Sequence, residues 1–240
     1  MQPTVFHVTH WKAGSQWVRG VLEEAAAGRI VPPLPGQGHV FGKPIVAGGV
    51  YTPVYASEGQ LRAVVPAGMD QRTFVVVRDP RDTLVSWYYS LRYSHGDDWA
   101  TVPEVREILE TVDPVDGLAI LLRGELYDAV NIQMTWLEAG ARMFRYEDLL
   151  RDELGGFREI LQFCEIEVGE ERLREIVAKH SFERASGRKR GDADPKSIMR
   201  KGEAGDWRNH FPDRLTWMYR TLFGEATVRL GYAPPGDGRW

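Results

Sequence analysis

Apolar positions near the start of the chain follow two rhythms, and the change between them falls within a few residues. Val5, Phe6 and Val8 form a short β-prone run, whereas Trp17, Val18, Val21 and Leu22 recur at the one-and-four spacing of an amphipathic helix. Between them, His10-Trp11-Lys12-Ala13-Gly14-Ser15 keeps neither period. Thr4–Val21 therefore reads as strand, tight loop and helix start. Thr73–Val77 is continuously apolar or β-branched, the pattern of a strand buried on both faces and so of a parallel sheet with helices on either side. Asp79-Pro80 then forms a turn, with Asp79 as a helix cap and Pro80 in the first turn. Helical pieces are expected over Val102–Leu109 and Val115–Leu122, and Asn131–Leu137 reads as the end of a helix. Ala141–Tyr146 is a short strand, with Glu147-Asp148 as a cap and a helix through Leu154, Phe157, Ile160 and Leu161. Further helices span Glu170–Lys179 and Arg214–Leu230, the last ending at Gly231.

Residues from about 28 to 68 are rich in Gly and Pro and lack a helical period, apart from a short strand at Val50–Tyr55. Such a connection either borders a pocket or packs on the surface. The segments at about 94–115 and 184–199 read as further mobile loops, and the tail at about 233–240 as disordered. Together these elements predict an α/β fold, a single domain over residues 1–240 with a mainly parallel central sheet flanked by helices. Ligands of such folds lie at the carboxyl ends of the strands.

Composition narrows the function. The length of 240 residues suits one large core, and a formal charge of −4 with scattered basic residues argues against nucleic acid or a membrane surface as partner. The one cysteine, Cys164, rules out an internal disulfide or a cysteine zinc cluster and fits a cytoplasmic protein. No window approaches a membrane span, and no metal-ligand cluster is visible. Any anion site must therefore be local.

The strand–loop–helix at Thr4–Val21 builds such a site. The first N–H groups of the helix have no internal partners and carry the positive end of its dipole. Lys12 adds charge, Gly14 allows close approach and Ser15 adds a hydroxyl. The order Lys-x-Gly-Ser does not fit the nucleoside-triphosphate loop G-x-x-x-x-G-K-[ST]. A second cation, Arg78, stands at the end of the Thr73–Val77 strand, eight residues before Ser86 in the next helix, and both can turn to one anion. Met199–Phe211, MRKGEAGDWRNHF, follows a basic loop and carries two further cations, Arg200 and Lys201.

These three stretches resemble the motifs of sulfotransferases that use 3′-phosphoadenosine 5′-phosphosulfate (PAPS). The family loop T-Y-P-K-S-G-T-T-W is matched by Thr9, Lys12, Gly14 and Trp17, with Ser15 replacing threonine and Gln16 departing from a second hydroxyl. Its R-N-P-K-D-x-x-V-S-x-Y-Y is matched by Arg78, Pro80, Asp82, Val85, Ser86, Tyr88 and Tyr89. Its R-K-G-x-x-G-D-W-K-N-x-F is matched by Arg200, Lys201, Gly202, Gly205, Asp206, Trp207, Asn209 and Phe211, and Tyr146-Glu147-Asp148-Leu149 matches Y-E-D-L, a resemblance that would set Tyr146 near the nucleotide. The resemblance implies a P-loop-like sulfotransferase fold and transfer of a sulfuryl group from PAPS to a hydroxyl or amine of a small acceptor, with no metal. It implies that Lys12, Ala13, Gly14, Ser15, Gln16 and Trp17 cradle the donor and that Arg78, Ser86, Arg200, Lys201 and Gly202 hold its 3′-phosphate. Phe182, in His180-Ser181-Phe182 where the family has T-S-F, would stack on the adenine opposite Trp17.

The family's base is a histidine in T-H-x-P, and here Pro53 of Tyr51-Thr52-Pro53-Val54 stands in its place. His39, Glu58 and His10, in that order, are the remaining candidates, with Lys12 stabilising the departing phosphate. An apolar or ring-containing acceptor is expected from the aromatic-rich middle, and the segment through which many relatives dimerise is not matched at Pro212-Asp213 and Trp217. A P-loop-like kinase, or an inactive relative that only binds PAPS or its product 3′-phosphoadenosine 5′-phosphate (PAP), are the competing readings.

Overall fold

The computed structural model describes residues 2–32, 42–96 and 101–236. His39, and residues 33–41, 97–100 and 237–240 of the predicted loops and tail, lie outside the described residues.

Four strands form one parallel sheet in the order β2-β1-β3-β4: β1 Thr4–Thr9, β2 Val50–Val54, β3 Gln71–Val77 and β4 Arg142–Arg145. The register sets His7 beside Phe74 and Thr9 beside Val76, so β1 and β3 end level with each other. Successive side chains of a strand face opposite ways. Val5, Phe74 and Val76 pack on one face with Val21 and Leu22 of α1 (Ser15–Ala25), while Phe6, Val8, Val75 and Val77 turn to the other and are equally buried. Burial on both faces is why these strands read as apolar runs rather than alternating ones. The first face is completed by Phe157 and Ile160 of α8 (Glu153–Phe163) and Ile176 of α9 (Glu170–His180). Each such fully buried side chain contributes about 1.5–3 kcal/mol. From β1 the chain runs first to β2 on one side and then to β3 on the other. The carboxyl ends of β1 and β3 thus mark the point where strand order reverses, the usual ligand crevice of open α/β sheets.

The chain falls into two compact units. The first, residues 1–78 and 135–188, holds the sheet. The second, residues 79–134 and 189–240, is built of helices: α3 (Pro80–Tyr89, continued by a π-turn over Ser90–Ser94), α4 (Val102–Thr111), α5 (Pro114–Arg123), most of α6 (Glu125–Glu138) and α11 (Asp213–Arg229). Within it Gly117 of α5 lets the Tyr88 ring approach so closely that a Cβ would stand 2.7 Å from Cε2.

Two local features differ from the sequence expectation. The Gly/Pro-rich stretch contains α2 (Glu58–Arg62), started by a reciprocal capping box in which Ser57 Oγ accepts from the Gln60 N–H at 3.4 Å and Gln60 Oε1 accepts from the Ser57 N–H at 2.8 Å. The helix after β4 is two helices, α7 (Tyr146–Arg151) and α8. Glu147 and Asp148 lie in the first turn of α7 and do not cap it; the capping carboxylate is Asp152, which accepts from the Gly155 N–H at 2.8 Å to start α8. A dipole favours acids throughout its first turn, so the two positions are easily exchanged when only sequence is read.

Candidate active site

In the first unit the loop from His10 to Gly14 leaves β1 and turns directly into α1. Thr9 Oγ1 donates to the Val76 carbonyl at 2.9 Å, tying the strand ends together where the loop begins. Lys12 and Gly14 both have left-handed backbones, with φ of 67° and 79°. Such turns gather successive N–H groups into an anion-binding concavity. Every other α-helix among the described residues has an acidic residue in its first turn. α1 has none there, and its N-cap, Gly14, has no side chain to occupy the free N–H groups.

Arg78, at the end of β3, is 7 % exposed, and its Nη1 donates to the Lys12 carbonyl at 2.7 Å. A guanidinium cannot shed its proton, so a full positive charge is fixed beside the loop. The same guanidinium lies 4.5 Å over the ring of Tyr146, which meets Trp17 edge-on at 6.1 Å. Trp17 in turn meets Phe157 edge-on at 5.0 Å. A Cβ on Gly14 would stand 2.9 Å from Cδ2 of the Tyr146 ring. Tyr146, expected near the nucleotide, thus underlies the loop.

Ser15, the first residue of α1, is buried, and its Oγ accepts from Tyr55 Oη at 3.0 Å. Burial pushes the Tyr55 phenol up, while its hydrogen bond with Ser15 acts the other way. Tyr55 was not singled out in the sequence, because its partners lie some forty residues away.

Of the candidate bases, His10 is wholly buried beside the loop. Its Nδ1 is 2.9 Å from the Trp11 carbonyl, which can only accept, so the proton sits on Nδ1 and Nε2 keeps its lone pair. Burial, with a smaller contribution from the Arg78 charge, lowers its pKa to about 3. His7 is similar, with Nδ1 2.7 Å from Thr52 Oγ1 and a pKa lowered to about 3 by burial. Glu58 opens α2, 3.6 Å from Arg62, while its N–H donates to Thr135 Oγ1 at 3.3 Å. Pro53 is buried within β2, so the position of the family's histidine holds no ionisable group.

Along α1, α9 packs so that a Cβ on Gly20 would meet His180 Nδ1 at 2.6 Å. His180, which stands where the family has threonine, has its Nε2 2.7 Å from Glu24 Oε1. Phe182 follows, buried, with the Arg188 guanidinium 5.4 Å over its ring.

In the second unit Asp79 caps α3 as expected, accepting from the Arg81 N–H at 2.9 Å. It is also gripped side-on by Arg81 at 2.9 and 2.7 Å. Ser86 is buried in α3. Asp82 accepts from the N–H groups of Gly205 at 2.5 Å and Trp207 at 2.9 Å, and Arg81 lies 4.0 Å over the Trp207 ring. The RDPRD and GDW motifs are therefore bound to each other, a pairing that neither motif reveals alone. Arg200 and Lys201 both reach Asp206, at 2.5 and 2.7 Å, and Asn209 and His210 add contacts at 2.9 and 3.2 Å. These groups, His210 first, hold the Asp206 carboxyl far below the usual range. Gly202 follows with a φ of 67°.

Comparison with known proteins gives this arrangement its class. The sulfotransferase domain family matches residues 69–231, and the chain belongs to it. The chain spans about half the length of the curated relatives it matches. Human sulfotransferase 1C2 is 31% identical over 176 residues, 65% of this chain and 55% of the relative. Mouse sulfotransferase 2A6 is 25% identical over 188 residues, 70% and 60% respectively. In fold the chain is similar to mouse sulfotransferase SULT7A1 complexed with PAP, with a TM-score of 0.66 at 20% identity over 97% of this chain and 90% of that one. It is also similar to retinol dehydratase in complex with androsterone and inactive cofactor PAP, with a TM-score of 0.61 at 16% identity over 100% and 83%. The family match begins after the Lys12 loop, so that loop stands on its own geometry.

Proposed function

We propose that the chain is a PAPS-dependent sulfotransferase acting on a hydroxyl or amine of a small, apolar or ring-containing acceptor. The observation that carries this reading is the Lys12–Gly14 loop with Arg78 donating into it, an uncapped helix start flanked by two cations. The residues fit a phosphosulfate: N–H donors, a serine hydroxyl, a lysine and a buried guanidinium, with no carboxylate in the first turn. Membership of the family supports the donor, and the complexes of relatives with PAP and androsterone support the acceptor class.

PAPS supplies an activated sulfuryl group when bound. The sulfur's bond to the nucleotide phosphate breaks, a bond to the acceptor oxygen or nitrogen forms, and the acceptor's proton passes to a base. Lys12 and the N–H groups of Ala13 to Trp17 neutralise charge growing on the departing phosphate. Trp17 and Phe182 are assigned to the adenine, and Arg78, Ser86, Arg200, Lys201 and Gly202 to the 3′-phosphate, with residues 1–240 proposed as a single sulfotransferase domain. His39, Glu58 and His10 remain the candidate bases. Among them His10 has its tautomer set with Nε2 as the basic atom. Turnover of the three alanine variants separates them, since unchanged turnover removes a residue from the list. Among the described residues no helix is long and apolar enough to cross a membrane, and the buried thiol of Cys164 fits the cytoplasmic location we include in the proposal.

Calorimetric titration tests the donor. PAP should bind at least tenfold more tightly than ADP, and Arg78→Ala should abolish the preference. Equal or better binding of ATP with magnesium would overturn the reading in favour of a kinase.

A further inference from the structure

Ser15 is the only hydroxyl that the sequence supplies inside the Lys12–Trp17 loop, and in the structure it does not stand alone. Its Oγ accepts from the phenol of Tyr55, which reaches it from just beyond β2 at 3.0 Å. A phenol has a single proton, and here that proton is given to Ser15. A serine hydroxyl that accepts one bond still has its own proton, and the accepted bond restricts where that proton points.

We infer that Tyr55 is a positioning residue for the donor loop: by donating to Ser15 Oγ it turns the Ser15 proton toward the anion that the loop holds. The chain of donors runs from Tyr55 through Ser15 to the phosphosulfate, each bond polarising the next. Tyr55 lies two residues after Pro53, just past the end of β2, and burial keeps its phenol protonated and so a donor. The inference rests on the PAPS reading above.

The test is a double-mutant cycle read by calorimetric titration with PAP, on wild type, Tyr55→Phe, Ser15→Ala and the double variant, with thermal midpoints measured in parallel. Tyr55→Phe removes only an oxygen and keeps the ring. It should weaken PAP about fivefold, Ser15→Ala about tenfold, and the double variant no more than Ser15→Ala alone, because Tyr55 acts through Ser15. In a Ser15→Thr background, which keeps the hydroxyl, Tyr55→Phe should again weaken PAP about fivefold, a result that does not depend on how stable the Ser15→Ala variants are. Losses that multiply in the double variant, or a Tyr55→Phe protein that binds PAP like wild type, would overturn the inference while leaving the donor reading intact. A wild-type protein that fails to bind PAP would remove the donor reading, and this inference with it, before any variant is made.

Discussion

Gly14→Ala is the substitution for which the structure sets the clearest magnitude. Gly14 has a φ of 79°, where an alanine is strained by about 1–2 kcal/mol. Its Cβ would also stand 2.9 Å from Cδ2 and 3.0 Å from Cε2 of the Tyr146 ring, and that ring is held by Arg78 above it and Trp17 beside it. Forcing an extra methyl into so constrained a place costs about 1–3 kcal/mol. Against this, alanine stiffens the unfolded chain and returns about 0.4–1 kcal/mol. The net expectation is a loss of about 2–4 kcal/mol, seen as a lower urea midpoint with an unchanged slope. The two contributions separate in a cycle with Tyr146→Leu. In that background the clash is relieved and Gly14→Ala should cost only about 1 kcal/mol. A cost below about 1 kcal/mol in the wild-type background, or the same cost in both, would refute the claim that Tyr146 is the floor of the loop.

Asp82→Asn should lower stability by about 2–3 kcal/mol, because the amide keeps one acceptor oxygen for two N–H groups and turns its own NH2 toward the second. Exchange of the Trp207 amide hydrogen should accelerate with it, and an unchanged rate would show that the RDPRD and GDW motifs are held together by something else. His7 and His10 are neutral in the fold down to about pH 3, whereas both would charge near 6.5 in the unfolded chain. The unfolded state therefore binds more protons in this window, and stability is complete above about 6.5 and falls as pH drops toward 3. Each imidazole should contribute about 1.4 kcal/mol per pH unit. Urea midpoints between pH 6.5 and 5, where carboxylates stay ionised, should fall steadily, and a flat profile would contradict the burial of both rings. The Asp206 carboxyl, held low by His210, Lys201, Asn209 and Arg200, adds stability above the ordinary Asp value that is lost only under stronger acid. An Asp206→Asn protein should therefore lose less stability than wild type when melts at pH 5 and pH 3 are compared.

What the sequence disclosed about the fold was whatever a local pattern encodes. The apolar runs at Val5–Val8 and Thr73–Val77 are buried strands because both faces of the sheet are covered, and Pro80 after Asp79 marks a helix start by backbone chemistry alone. α2 escaped because five residues are too few to show a period, although Ser57 and Gln60 spell its capping box. In the site, the Lys12 loop and Arg78 were legible one at a time, and the structure brings them to 2.7 Å. The contacts that brace groups within each unit were not legible. Tyr146 under Gly14, Tyr55 on Ser15, Asp82 on the GDW turn and Asp206 on Arg200 and Lys201 are identified by contact, and only the last lies within a few residues of its partners. Asp206 was part of a matched motif, yet spacing alone does not say that it takes up the very cations expected to face a phosphate.

The most direct test of the central claim is transfer of label from 35S-labelled PAPS to a panel of a phenol, an aliphatic alcohol and an amine, comparing wild type with Lys12→Ala. The account predicts labelled sulfo-product and stoichiometric PAP from wild type with at least one acceptor, reduced about 10²–10³-fold in the variant. Intact PAPS with every acceptor from a protein that phosphorylates the same panel with ATP, or equal transfer by Lys12→Ala, would contradict it.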